Sequence, residues 1–279
     1  MLGYVCKYTP MELFEAMDTE ITRLEPSVTD FNHADTLMHA NICSYTKAVL
    51  EDVMEHDYEG VILTTCCDSI RRLYDTLKSQ FPDKFFFLLD IPRKFNDFAV
   101  ALYERQLKQM LTEYEAFSGK TLDLKRFVSM MQNKAALKKQ ENTRMSSSAV
   151  SEKGNGQKLN IGIMGARCNN EIRQLLVDRG ANLLFDLTCT GLARDFSITE
   201  DQVLHSYAAA LLNQIPCMRM LKAANREHFL DGFTDRLDGI IYHTVKFCDS
   251  YSYEYADFRQ RLDPVSYTHL RAHETSLHL

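Results

Sequence analysis

Cysteine is the residue type in this chain whose placement points to chemistry. The run Gly60-Val61-Ile62-Leu63-Thr64-Thr65-Cys66-Cys67-Asp68-Ser69 is apolar and β-branched until it stops on two adjacent thiols and an aspartate. A second run, Gly239-Ile240-Ile241-Tyr242-His243-Thr244, leads likewise into Lys246-Phe247-Cys248-Asp249-Ser250. Each copy also has a cysteine upstream, Cys43 lying 17 residues before Gly60 and Cys217 lying 22 before Gly239. Cys168 and Cys189 follow two further apolar runs. Thiolates ligate zinc and iron–sulfur clusters and carry thiol redox chemistry. A buried cysteine is also a small apolar side chain, which is the plain alternative at every position.

The elements that would position these thiols can be read around them. Val61 to Thr65 fits a buried strand, and Ile70, Leu73, Tyr74 and Leu77 continue at helical spacing, with Asp68 able to cap that helix. Asn41-Ile42-Cys43-Ser44-Tyr45 opens a helix, placing Cys43 where unpaired N–H groups favour a thiolate. Phe85 to Leu89, Leu159 to Met164, Asn182 to Thr188 and Gly239 to Thr244 read as further strands. Thr9-Pro10-Met11-Glu12 has a capping-box pattern, with Leu13, Met17 and Ile21 on one side of the helix it opens. Cys6, just before it, reads as a packed thiol.

This order predicts an α/β chain of two lobes with parallel sheets. The first lobe spans 1–95, a helical connection 96–145, a polar linker 146–158 rich in Ser, Gly and Asn, and a second lobe 159–263. The two Gly-to-Cys-Asp-Ser segments mark the lobes as copies of one unit. Cys66, Cys67, Cys168, Cys189 and Cys248 fall at strand exits, and Cys43 and Cys217 at or before helix starts. In an α/β sheet those ends gather ligands, so a cleft between the lobes would be rich in thiols.

Composition excludes several other classes. A net charge of -6 with scattered lysines argues against a nucleic-acid surface. There is no run of about 18 apolar residues and no secretory signal pattern, so a membrane or export role is not expected and the cytoplasm is. In a reducing compartment eight cysteines are not a disulfide framework. Paired knuckles of the zinc-finger type and ferredoxin-type runs are both absent. Widely spaced single cysteines fit a cluster held between lobes better than a finger, with zinc, thiol redox chemistry and packing as the open alternatives. Gly162-Ile163-Met164-Gly165 lacks the Gly-x-Gly-x-x-Gly spacing of a dinucleotide turn. Asp68 and Asp249 suit helix capping better than acid–base work. Arg71 and Arg72 could offset thiolate charge or form a solvated helix face.

These segments carry a resemblance. Tyr8-Thr9-Pro10-Met11-Glu12-Leu13, Asn41 to Tyr45, Thr64 to Tyr74, Leu187-Thr188-Cys189-Thr190-Gly191, Ile215-Pro216-Cys217-Met218-Arg219 and Lys246-Phe247-Cys248-Asp249 together resemble the 2-hydroxyacyl-CoA dehydratase D-component family, and within it the small double-cubane iron–sulfur proteins. The resemblance implies two Rossmann-like lobes with an oxygen-sensitive cluster in the cleft. In dehydratases of this kind a [4Fe-4S] cluster, charged by an ATP-hydrolysing activator iron–sulfur protein, acts on a 2-hydroxyacyl-CoA. Cys43, Cys67 and Cys248 match that ligand set. The double-cubane relatives hold an [8Fe-9S] cluster with six cysteines and reduce small molecules, and Cys66, Cys189 and Cys217 would supply the other three. Cys168 is a possible substitute within the six. The resemblance also implies a homodimer or a heterodimer with a homologous subunit. From Pro264 onward it stops, so 264–279 is set aside as a non-native tail and the second lobe is expected to be incomplete.

Overall fold

The computed structural model describes residues 1–28, 30–145, 158–168, 170–189, 191, 198–221, 229–233, 235–262 and 268–273. The expected linker lies outside the described residues except for Lys158. The first lobe is a parallel sheet in the order β2-β1-β3-β4, formed by Leu2–Tyr4 (β1), Ile21–Arg23 (β2), Gly60–Thr64 (β3) and Phe85–Leu89 (β4). Helices Met11–Ala16 (α1), Asn32–Leu37 (α2), Ser44–Glu55 (α3) and Asp68–Gln80 (α4) connect the strands, followed by Asp97–Ser118 (α5) and Leu124–Met145 (α6). Every residue of β3 is buried, as its continuous apolar sequence requires of a central strand covered on both faces. Gly60 opens it because a Cβ there would lie 1.9 Å from the Phe85 carbonyl oxygen of the neighbouring strand.

The second lobe repeats the topology, with the order β6-β5-β7-β8. Its strands are Asn160–Gly165 (β5), Asn182–Thr188 (β6), Gly239–Thr244 (β7) and Thr268–His273 (β8), all parallel. Its helices are Asn170–Asp178 (α7), Val203–Leu212 (α8) and Asp249–Leu262 (α9). The last strand falls in the segment set aside as a tail and pairs with β7, Gly239 opposite Thr268. Identical strand order in both sheets bears out two Rossmann-like lobes.

Packing ties the lobes together. One face of α5, with Tyr103, Leu107, Met110 and Tyr114 all fully buried, covers the first sheet. Tyr207, Ala208, Leu211 and Leu212 of α8 join that same core, although α8 lies between strands β6 and β7 of the second lobe in sequence. Burying side chains of this size is worth about 1.5–3 kcal/mol each, so separating the lobes would expose a substantial apolar face. Glu104 of α5 accepts from His205 of α8 at 2.8 Å, and Tyr207 donates to the buried Glu12 carboxylate at 2.5 Å.

Two local expectations are corrected. The helix opened at Pro10 ends at Ala16, and Ile21 starts β2 instead of continuing the helical face. Asp18 adopts a positive φ of 51°, which reverses the chain between them. Nor does a capping box form there: Pro10 is the N-cap without a side-chain cap bond, and Glu12 turns inward to Tyr207.

Candidate thiol-lined centre between the lobes

The carboxyl ends of both sheets face one cavity of about 750 Å³, counting the space at its mouth. Seven of the eight cysteines line it: Cys6, Cys43, Cys66, Cys67, Cys189, Cys217 and Cys248. Six are the predicted site residues, and the structure brings all of them together. Cys168 is buried but is not on the cavity wall. Cys6, read as a packed thiol, is on the wall because it follows the short strand β1, which the sequence pattern did not reveal.

Local structure explains each placement. Cys43 is the N-cap of α3, and the backbone N–H groups of Tyr45 and Thr46 donate to its sulfur. Cys67 is the N-cap of α4, with Asp68 the first helical residue. Cys189 follows β6 directly, and Cys248 precedes α9, whose Tyr251 N–H donates to its sulfur. Cys217 is fixed across the lobes, its N–H donating to the Tyr8 hydroxyl at 3.3 Å. Gly165 ends β5 at φ 101°, and a Cβ there would lie 2.2 Å from the His243 carbonyl oxygen; this tight exit sends Arg167 toward the first lobe.

The thiols interact directly. Cys248 donates to Cys43, which favours the Cys43 thiolate and, with burial, pushes Cys248 well up. Cys66 is raised by its hydrogen bond to Cys67 and by burial, against the Thr64 side chain and the Arg219 charge. Burial pushes Cys6 up to about 12, with Cys66 and Cys217 adding to it. Burial also raises Cys189 to about 12, opposed by Arg167 and reinforced by Cys217, Cys6 and Cys66. Without a cation to take up their charge, most of these buried groups stay protonated.

Three cations line the same wall, and each is tied to a carbonyl of the opposite lobe. Lys7 donates to Ile215 O at 2.5 Å, Arg219 to Ile91 O at 3.0 Å, and Arg167 to Leu24 O. Arg167 also donates to the Tyr45 hydroxyl at 2.5 Å and lies 4.3 Å from the centre of that ring. These cations take the place sequence reasoning considered for Arg71 and Arg72. Neither of those arginines lines the cavity, and Arg72 instead pairs with Asp75 on an exposed face. No spacing signal in the chain singles out Lys7, Arg167 or Arg219, since only the fold brings them to the thiols.

The donor set suits a group that takes thiolate ligands and carries negative charge with them. Coordination deprotonates a thiol outright, reversing the effect of burial, and the buried Lys7 and Arg167 with the half-buried Arg219 offset the resulting charge. Among the described residues no three His, Cys, Asp or Glu side chains are placed to hold a single metal ion. Among the described residues, too, no helix is long and apolar enough to cross a membrane.

Two lobes of identical strand order, with their carboxyl ends facing a thiol-lined cavity, define a Rossmann-like protein. The profile of the family described as "2-hydroxyglutaryl-CoA dehydratase, D-component" matches residues 6–147 and 127–272, and the chain belongs to that family. No curated protein matches the chain.

Proposed function

We propose that the chain is a low-potential iron–sulfur reductase of this dehydratase family, holding a double-cubane-type cluster in the interlobe cavity. The carrying observation is the gathering of seven cysteines from both lobes on one wall with the cations Lys7, Arg167 and Arg219. A bound cluster would supply reversible one-electron storage at low potential. Cys43, Cys66 and Cys67 of the first lobe and Cys189, Cys217 and Cys248 of the second would hold it. A cluster presents several irons, each taking its own thiolate, so its ligands stand apart around a volume.

The chain's own groups have definable tasks. The N–H groups at the start of α3 donate to Cys43 and lower the electron density on that sulfur. Lys7, Arg167 and Arg219 would balance thiolate charge while each ties the two lobes through a carbonyl of the opposite one. Electrons would come from an ATP-hydrolysing activator in the cytoplasm, with the chain working as a homodimer or beside a homologous subunit.

The family description favours a second reading, a [4Fe-4S] 2-hydroxyacyl-CoA dehydratase or its non-catalytic subunit, held by Cys43, Cys67 and Cys248 alone. Anaerobic reconstitution separates the two. Replacing Cys66 by Ser lowers the iron content under the double-cubane reading and leaves it unchanged under the second. If iron does not bind the parent chain, both readings fall.

A further inference from the structure

Resting on the cluster reading above, we propose that Arg219, beyond tying the lobes, sets the reduction potential of the bound centre by donating its Nε–H to one of the centre's sulfurs. Arg219 belongs to the second lobe and lines the cavity wall. Its seat is on the first lobe, at the exits of β3 and β4, which pair in parallel with Thr64 opposite Leu89. There Nη1 donates to Ile91 O at 3.0 Å and Nη2 to the Thr65 hydroxyl at 3.4 Å. The Thr65 hydroxyl is itself fixed, donating to the Asp90 carboxylate at 2.6 Å and accepting from the Ile91 N–H at 3.2 Å. Leu221 continues the same cross-lobe contact, its N–H donating to Arg93 O at 2.9 Å.

With both Nη atoms held, the planar guanidinium has one orientation, and the direction of its third donor is set with it. That donor, Nε, is buried, and among the described residues it has no hydrogen-bond partner. A latch between the lobes accounts for Nη1 and Nη2 but not for Nε, since a charged donor buried without an acceptor lowers stability. The surrounding thiols indicate what the acceptor is. Thr65 immediately precedes Cys66, and the Arg219 charge acts on that thiol. Cys217 lies one turn before Arg219, its carbonyl accepting from Met220 N–H at 3.0 Å. Both are ligands in the six-cysteine reading, so the donor stands among sulfurs that would become negative on coordination. Hydrogen bonds to cluster sulfurs stabilise the more negative, reduced state and raise the potential.

The test is a redox titration of the full chain after anaerobic reconstitution with iron and sulfide, followed by electron paramagnetic resonance. Arg219→Lys keeps the charge but lacks the pinned Nε–H. Its reduction equilibrium is expected to shift about tenfold toward the oxidised form, a potential lower by about 59 mV for one electron. Arg219→Met, which loses the charge as well, should fall further, while Arg71→Met, off the cavity wall, should match the parent. A parent-like potential in iron-loaded Arg219→Lys overturns this inference alone. If the Arg219 variants take up too little iron to titrate, pulsed resonance of chains carrying 15N-arginine decides. Coupling of an arginine nitrogen to the reduced centre, present in the parent and kept in Arg167→Lys, supports the inference. Its absence from the parent, or its loss in Arg167→Lys, overturns it. Failure of the parent chain to take up iron overturns it together with the proposed function.

Discussion

Replacing Arg167 by Met tests whether the lobes are latched through the cavity wall. The Arg167 side chain is only 9% exposed and loses four contacts in the variant: its bonds to Leu24 O and to the Tyr45 hydroxyl, its stacking over the Tyr45 ring, and its ion pair with Glu25 at 3.6 Å. Hydrogen bonds from a charged donor are worth about 1.5–3 kcal/mol each, and a desolvated cation–π contact about 2 kcal/mol. Two features reduce the net loss. Leu24 O keeps its bond from the Tyr45 hydroxyl at 3.1 Å, and Met recovers apolar packing while sparing the desolvation of a buried charge. A net destabilisation of about 3 kcal/mol follows, equivalent to a fall in melting temperature of about 6–12 °C for a chain of this size. Arg167→Lys keeps the charge but not the planar fork, so it should fall between parent and Met variant. Calorimetry of the metal-free chain under reducing conditions reads the effect. A Met variant melting within about 2 °C of the parent would refute the latch.

Other outcomes follow from the same geometry. Gly60→Ala drives a Cβ against the Phe85 carbonyl and should destabilise the chain by about 3 kcal/mol or prevent folding, checked by urea titration. Glu104 is held below its ordinary value chiefly by Lys108 and then His205. A depressed carboxylate adds stability above its unfolded value that is lost as pH falls through the folded one, so between about pH 5 and pH 3 the parent should lose more stability than Glu104→Gln. Parallel pH melts of the two proteins check this, and superimposable profiles would remove the α5–α8 bridge from the account. Cys67→Ser should lower bound iron after reconstitution, measured against the metal-free baseline, and unchanged iron would strike Cys67 from the ligand set.

What was legible in the chain tracks how much signal each segment carries. Phe85–Leu89, Asn182–Thr188 and Gly239–Thr244 coincide with their expected strands because continuous apolar runs bounded by turns leave little choice. Leu2–Tyr4 and Ile21–Arg23 were missed because three residues are too few to show a period. Without β1 in view Cys6 had no strand to follow, so its place on the cavity wall was not foreseen. The helical spacing of Leu13, Met17 and Ile21 misled for a different reason, since periodicity does not register the left-handed turn at Asp18. Cys67 and Cys248 were readable because the Gly-to-Cys-Asp-Ser device occurs twice, and the family resemblance chose Cys43, Cys66, Cys189 and Cys217 to go with them. Lys7, Arg167 and Arg219 were not, because their role depends on carbonyls that lie across the lobe seam.

The iron–sulfur reading proposed for this wall of thiols stands or falls on whether the chain takes up iron and sulfide. Anaerobic reconstitution of the full chain with iron and sulfide, followed by counting both per chain, tests it directly. The double-cubane reading predicts about eight irons and the dehydratase-type reading about four. A chain that stays free of iron and sulfide, with its seven cavity thiols still titratable after unfolding, would contradict the claim.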